Sequence, residues 1–182
     1  MNPREPEPVK LLHGILYADE ERLQRAKEKL SEQFGAIDYY SPAFPFQVTD
    51  YYAAEMGLPL WRLFVSHEPL IQPNQLAAIK LLTNKIESEL TIAGSRTVNI
   101  DAGYMDVGKV VLASAKYNVQ KIYLDHGIYA DLTLYYEKGR FHPYPWSFPD
   151  FRSSEYNRAF SMIHERYKVQ HKRWLQQQKR AE

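Results

Sequence analysis

Thr97-Val98-Asn99-Ile100-Asp101-Ala102-Gly103-Tyr104-Met105-Asp106-Val107-Gly108-Lys109-Val110 is the stretch on which the reading of this chain turns. An apolar run enters a glycine-flanked turn, and Val107 to Tyr117 then carries a helical pattern that Asn118 stops, so the spacing predicts a strand over Arg96 to Asp101 followed by a helix. The spelling Gly103-x-x-x-x-Gly108-Lys109-Val110 falls one hydroxyl short of the phosphate-cradling loop, in which backbone amides and a lysine hold phosphates and a Ser or Thr ligates magnesium. Val110 cannot ligate a metal. The usual second acidic strand is also missing, because Asp125 closes a run that reads as antiparallel. The stretch is therefore expected to be a strand-to-helix turn, with an anion site at the helix N-terminus as the sharper reading.

Upstream, Val9 to Ala18 reads as a buried strand. Asp19 caps a helix with Leu23, Ala26, Leu30 and Phe34 at helical spacing, and Gly35 ends it. Ile37 to Phe46 is strand-like but interrupted by Pro42 and Pro45, which suits an edge strand or one that bends and leaves the sheet. Gln47 to Pro59 is a connection, Leu60 to His67 a second strong strand, and Pro73 opens a helix whose buried stripe runs through Leu76, Ile79, Leu82 or Thr83, Ile86 and Leu90. Downstream, Lys121 to Asp125 and Ile128 to Glu137 flank His126-Gly127, and the second run alternates with a period of two, which predicts a β-hairpin. His142 to Pro149 is a proline-aromatic loop. Ser153 or Ser154 then caps a closing helix with Tyr156, Phe160, Ile163, Tyr167 and Trp174 on one stripe.

The order strand, helix, strand, strand, helix, strand over residues 9 to 101 matches a split β-α-β, ferredoxin-like layout. The expected fold is thus α/β of the α+β type: a two-layer sandwich with a ferredoxin-like core, an added helix after it, a β-hairpin and a closing helix. Residues 1–8, with three prolines, read as a flexible lead-in, 9–176 as one domain and 177–182 as a frayed tail. A chain of 182 residues can bury roughly 70% of its unfolded surface in one core.

Composition excludes some functions. There is no cysteine, which removes disulfides, thiolate metal sites and cysteine nucleophiles and suits a reducing, cytoplasmic setting. The N-terminus has neither the basic start nor the apolar run of a signal peptide or membrane anchor. With 23 Lys plus Arg against 22 Asp plus Glu, broad neutralisation of a nucleic acid backbone has no support. The 14 tyrosines, many beside Pro or Gly, are read as core-edge packing, with a partner surface on the tyrosine- and proline-rich loops as the functional alternative.

Asn99 and Asp101 are alternate residues of one strand, so they share a face near its C-terminal end. With Tyr104 and Lys109, and with Asp50, Tyr51 and His67 from loops taken to lie at the same end, they form the candidate ligand site; the structural alternative is that Asp101 caps the next helix and Asn99 satisfies loop backbone. His164 and His171 are seven apart, no histidine pair has zinc-type spacing, and no metal is expected. No cofactor follows from any motif.

Several separated motifs share a further property: Val9-Lys10-Leu11-Leu12 with Gly14 and Tyr17, Phe34-Gly35-x-Ile37-Asp38-Tyr39, Thr49-Asp50-Tyr51-Tyr52, Asn99-Ile100-Asp101-x-Gly103-Tyr104, Ile122-Tyr123-Leu124 with Gly127-Ile128-Tyr129-Ala130, and Pro145-Trp146-x-x-Pro149-Asp150-x-Arg152. Together they resemble a bacterial family catalogued as domain of unknown function 4416, over nearly the whole chain. The resemblance implies a small cytoplasmic bacterial protein with no established activity, and it carries over no catalytic residue. A GTP-binding label attached to some members traces to local patterns such as Gly103 to Lys109; the resemblance covers Asn99 to Tyr104 and leaves Gly108-Lys109 outside it. The functional expectation is a domain that binds a small ligand, anionic by the Lys109 reading, with catalysis left open. A protein-interaction module is the alternative, and nucleotide binding or hydrolysis through a degenerate phosphate loop is the third reading.

Overall fold

The computed structural model describes Asn2 to Ala181. One antiparallel sheet holds nine strands: β1 (Val9–Tyr17), β2 (Ile37–Tyr40), β3 (Phe44–Pro45), β4 (Trp61–Ile71), β5 (Val98–Met105), β6 (Lys109–Ser114), β7 (Ile122–Asp125), β8 (Ile128–Glu137) and β9 (Arg140–Pro143). The helices are α1 (Glu20–Phe34), α2 (Ala53–Met56), α3 (Leu76–Glu89), α4 (Pro149–Arg152) and α5 (Asn157–Ala181). The strand order is β2-β4-β1-β5-β6-β8-β7, with β3 beside β4 and β9 beside β8.

The helix expected over Val107 to Tyr117 is strand β6. Val110 and Leu112 pack toward α5 while Val111 and Ala113 pack toward α3, so the run is buried on both faces and loses the polar alternation that would have marked it as a strand. A local turn starts it. The Asp106 carboxylate accepts the backbone N–H groups of Gly108 and Lys109, each at 2.8 Å, and folds β5 back into β6. No helix N-terminus stands behind Gly108-Lys109.

Helices cover both faces of the sheet. Leu23, Ala26 and Leu30 of α1 and Ile86 of α3 pack on Ile15, Val65 and Ile100. Tyr156, Phe160 and Ile163 pack on Leu12, Phe64 and Met105 from the opposite side. The two layers expected are thus three where α5 crosses. The extra layer follows from β1, a near-continuous apolar run in which all nine residues are buried, so both of its faces need cover.

The sheet is not zipped throughout. Along β1, β5 pairs from Val98 to Met105, yet β6 pairs only with Gly103, Tyr104 and Met105. A β-carbon on Gly103 would lie 2.7 Å from the Val111 carbonyl oxygen and 2.6 Å from Leu112, so only glycine lets β6 come this close. Beyond that point β6 diverges, and the edge of β5 from Val98 to Ala102 is left facing a cleft.

Candidate functional site

The diverging strands require partners for backbone groups that would otherwise be buried unpaired. Helix α3 supplies them: Glu87 Oε1 accepts the Ile100 N–H at 2.6 Å, and Lys80 Nζ donates to the Ile100 carbonyl at 2.8 Å. Lys80, Thr83 and Glu87 are buried on the stripe of α3 that faces the sheet. Burial raises the Glu87 carboxyl above its ordinary value, against the pull of Lys80.

The cleft so formed holds about 300 Å³ and is lined by Tyr51, Tyr52, Lys80, Glu87, Asn99, Asp101 and Lys116, among others. Asn84 adds an amide and Phe148 an aromatic wall. At the mouth, Lys116 lies over the Tyr51 ring, 4.5 Å from its centroid.

A buried polar network forms one wall. Arg62 of β4 is 2% exposed; its Nη1 meets Asp101 at 2.5 Å and its Nη2 lies 3.2 Å from Asp150. Phe46, Phe64 and Phe151 surround the guanidinium. Asp101 Oδ1 accepts from Asn99 Nδ2 at 3.1 Å, and Asn99 Oδ1 accepts from Arg96 Nη1 at 3.0 Å. Arg96 in turn holds Glu55 through two guanidinium bonds, at 2.9 and 2.7 Å, and through its backbone N–H at 3.1 Å.

The two carboxylates that share Arg62 are pushed apart. Burial would raise Asp101, but the charges of Arg62 and Lys80 prevail and hold it below the usual carboxylate range. Asp150 is more deeply buried, and desolvation with the neighbouring Asp101 charge lifts it to about 6 despite Arg62. The Tyr52 hydroxyl is raised to about 12 by burial and by Asp101. Asp101 is therefore the ionised floor of the cleft, and its side chain is 28% exposed.

The proline-aromatic loop is a strap that brings Phe148 and Asp150 to this place. Trp146 Nε1 donates to the Leu132 carbonyl at 2.9 Å and Ser147 Oγ to the Thr133 carbonyl at 2.5 Å. Arg152 clasps the strap from behind, donating to the carbonyls of Ser147 and Pro145, each at 2.7 Å.

Of the residues expected from the sequence, Asn99, Asp101 and Tyr51 meet in the cleft. Tyr104 does not, because it has the parity of Ile100 and packs near Leu76 and Val111 on the opposite face of β5. Lys109 pairs with Asp106 in the β5–β6 turn. Asp50 lines a separate hollow with Phe46, Leu58 and Trp61. His67 is buried elsewhere: its Nδ1 donates to the Gly35 carbonyl at 2.9 Å, so its Nε2 accepts from His13 Nδ1 at 3.1 Å. Burial lowers both imidazoles.

Arg62, Lys80, Glu87, Arg96 and Asp150 were not foreseen. Lys80 and Glu87 had a legible signal, since both fall on the apolar stripe of a helix, where a charged residue needs a partner. Among the described residues, no three His, Asp or Glu side chains are grouped to hold a metal ion. None of their helices is long and apolar enough to cross a membrane.

Fold and site define an antiparallel α/β domain with a polar cleft where two neighbouring strands part. The chain belongs to the family described as Domain of unknown function (DUF4416), whose model matches residues 7–167. No curated protein and no solved structure matches it.

Proposed function

We propose that this chain is a small-ligand-binding domain whose ligand occupies the cleft between the open edge of β5 and the end of β6. The observation that carries the reading is the convergence, around about 300 Å³, of an accessible ionised carboxylate, Asp101, with Lys80, Lys116 and Asn84. Such a wall matches a polar molecule that gives a hydrogen-bond donor to Asp101 and an anionic group to the lysines, while Tyr51, Tyr52 and Phe148 cover its apolar part. The network behind Asp101 pre-organises it, which lowers the cost of binding.

The same reading keeps the bacterial, cytoplasmic setting, supported by the absence of cysteine and by the resemblance of the motifs. The nucleotide reading loses the strand-to-helix loop on which it rested, so nucleotides enter only as members of a test panel.

The test is a thermal-shift and calorimetric screen with free amino acids, amino sugars, sugar phosphates, carboxylic acids and nucleotides. The expected result is a ligand whose affinity falls about 10-fold or more in Asp101→Asn and in Lys116→Ala, the scale of one lost charge-assisted bond. Stabilisation by none of the panel, or by a compound indifferent to both substitutions, would overturn the proposal.

A further inference from the structure

The charged groups of the cleft already hold partners, and what they leave free defines the chemistry of the ligand. Asp101 Oδ2 accepts from Arg62 Nη1 at 2.5 Å and its Oδ1 from Asn99 Nδ2 at 3.1 Å. A carboxylate offers about four lone-pair sites, so acceptor capacity remains, but the charge of Asp101 is already answered by the guanidinium. An ammonium group placed against it would gain little and would meet Lys80 and Lys116 on the same walls. A hydroxyl group meets no such repulsion. It donates to the free lone pairs of Asp101 and accepts in turn from a lysine or from the Asn84 amide.

The cations of the cleft are not equivalent. Lys80 donates to the Ile100 carbonyl and lies 3.8 Å from Glu87, and Arg96 is held by Glu55. The Lys116 ammonium meets the Tyr51 hydroxyl at 3.3 Å and the Tyr51 ring, and it forms no ion pair among the described residues. An anionic group at the mouth supplies the partner that Lys116 lacks.

Size and surface narrow the class further. Phe148 is 45% exposed and is backed by Phe46, the two ring planes lying 5° apart, so it presents apolar surface to the cleft that it lines. The C–H face of a sugar ring packs on such a surface while its hydroxyl edge reaches polar side chains. The volume of about 300 Å³ stands at the lower end of ligand pockets, roughly 300 to 1,000 Å³. It suits a single ring with one charged substituent rather than a nucleotide.

We propose that the ligand of the cleft is a polyhydroxylated anion without an amino group: a monosaccharide bearing one phosphate or carboxylate, its hydroxyls on Asp101 and Asn84, its ring on Phe148 and its anion on Lys116. This inference rests on the reading of the cleft as a ligand site and narrows that reading to a chemical class.

Isothermal titration calorimetry on the full chain tests it with hexose and pentose monophosphates, uronic acids, the uncharged parent sugars, and amine-bearing compounds (amino sugars, their phosphates and free amino acids). The best binder should be a sugar phosphate or a uronic acid, about 10-fold or more tighter than its uncharged parent and than any amine-bearing compound; the two anion series tell which group Lys116 receives. Lys116→Ala, at an exposed position, should remove most of the advantage over the parent sugar. Phe148→Ala should weaken charged and uncharged forms alike, several-fold. A best binder that carries an ammonium, or equal affinity for an anion and its parent sugar, overturns the class while the cleft remains a site so long as Phe148→Ala weakens that binding. Binding indifferent to both substitutions, or by no compound, overturns the class and the site together.

Discussion

Gly14 and Asp101 face each other across the β1–β5 pairing, and the side chain that Gly14 lacks is the space in which the Arg62 guanidinium reaches the Asp101 carboxylate. A β-carbon at Gly14 would lie 3.0 Å from Arg62 Nη1 and 3.1 Å from the Phe64 ring. Both neighbours are confined, one by two carboxylates and three rings, the other by the core. Gly14→Ala should therefore destabilise the fold by about 1–3 kcal/mol, the usual cost of overpacking. Urea denaturation measures it, and an unchanged midpoint would mean that Arg62 has more freedom than its contacts suggest.

Arg62 holds two carboxylates in an apolar surrounding, so its removal strands both. Arg62→Met is expected to cost about 3–5 kcal/mol. Adding Asp150→Asn should return part of that loss, since one stranded charge is then gone, and a double-mutant cycle isolates the coupling. Strict additivity would show that the 3.2 Å approach of Arg62 to Asp150 carries no energy.

The same aspartate gives the folded chain a signature in pH. Burial, with the Asp101 charge, raises the Asp150 carboxyl from 3.8 to about 6 on folding. The folded state thus binds more protons than the unfolded one in between. Stability from this group is fully present below the unfolded value and is lost as pH rises through about 6. Measured against Asp150→Asn from pH 4 to pH 7, the unmodified protein should lose relative stability up to about pH 6 and then run parallel. A constant difference would place the Asp150 titration elsewhere.

Glu87 tests the open edge of β5. Glu87→Ala leaves the Ile100 N–H without its acceptor and should cost about 1–3 kcal/mol, whereas Glu87→Gln keeps an acceptor oxygen and should cost less. Hydrogen exchange reads the same event locally: protection of the Ile100 amide should drop in the alanine variant and persist in the glutamine one. Equal protection in both would mean that water replaces the side chain.

Lys109 provides the contrast. Its partner is Asp106 in an exposed turn, so Lys109→Ala should change stability by no more than about 1 kcal/mol and leave any ligand affinity of the cleft unchanged. An affinity loss matching that of Asp101→Asn would restore Lys109 to the site.

Much of this architecture could be read from residue patterns because local chemistry and global fold agree there. Asp19 caps α1, accepting the Arg22 N–H at 2.9 Å, and Gly35 ends the helix at φ 88°. At Val107 to Tyr117 the agreement fails. A short apolar run buried on both faces has neither period, and the Asp106-Val107-Gly108 turn was the signal that should have outweighed it. The polar cleft was half legible: Asn99 and Asp101 betrayed themselves by alternation, and the same parity argument excludes Tyr104. A single arginine inside Leu60 to His67 also called for buried carboxylates. Which carboxylates answered it was beyond any local pattern, because Asp101 and Asp150 lie 39 and 88 positions from Arg62 and meet it only once the strap has crossed the sheet.

The parting of β5 from β6 gives the protein an interior seam. Lys80 and Glu87 occupy the hydrogen-bonding positions of Ile100, so they act as a wedge. β6 cannot close onto β5, nor can a foreign strand enter, unless two buried charged side chains first leave their places. The inner edge of β5 is thus sealed by the protein's own helix and stays available only to something much smaller than a strand.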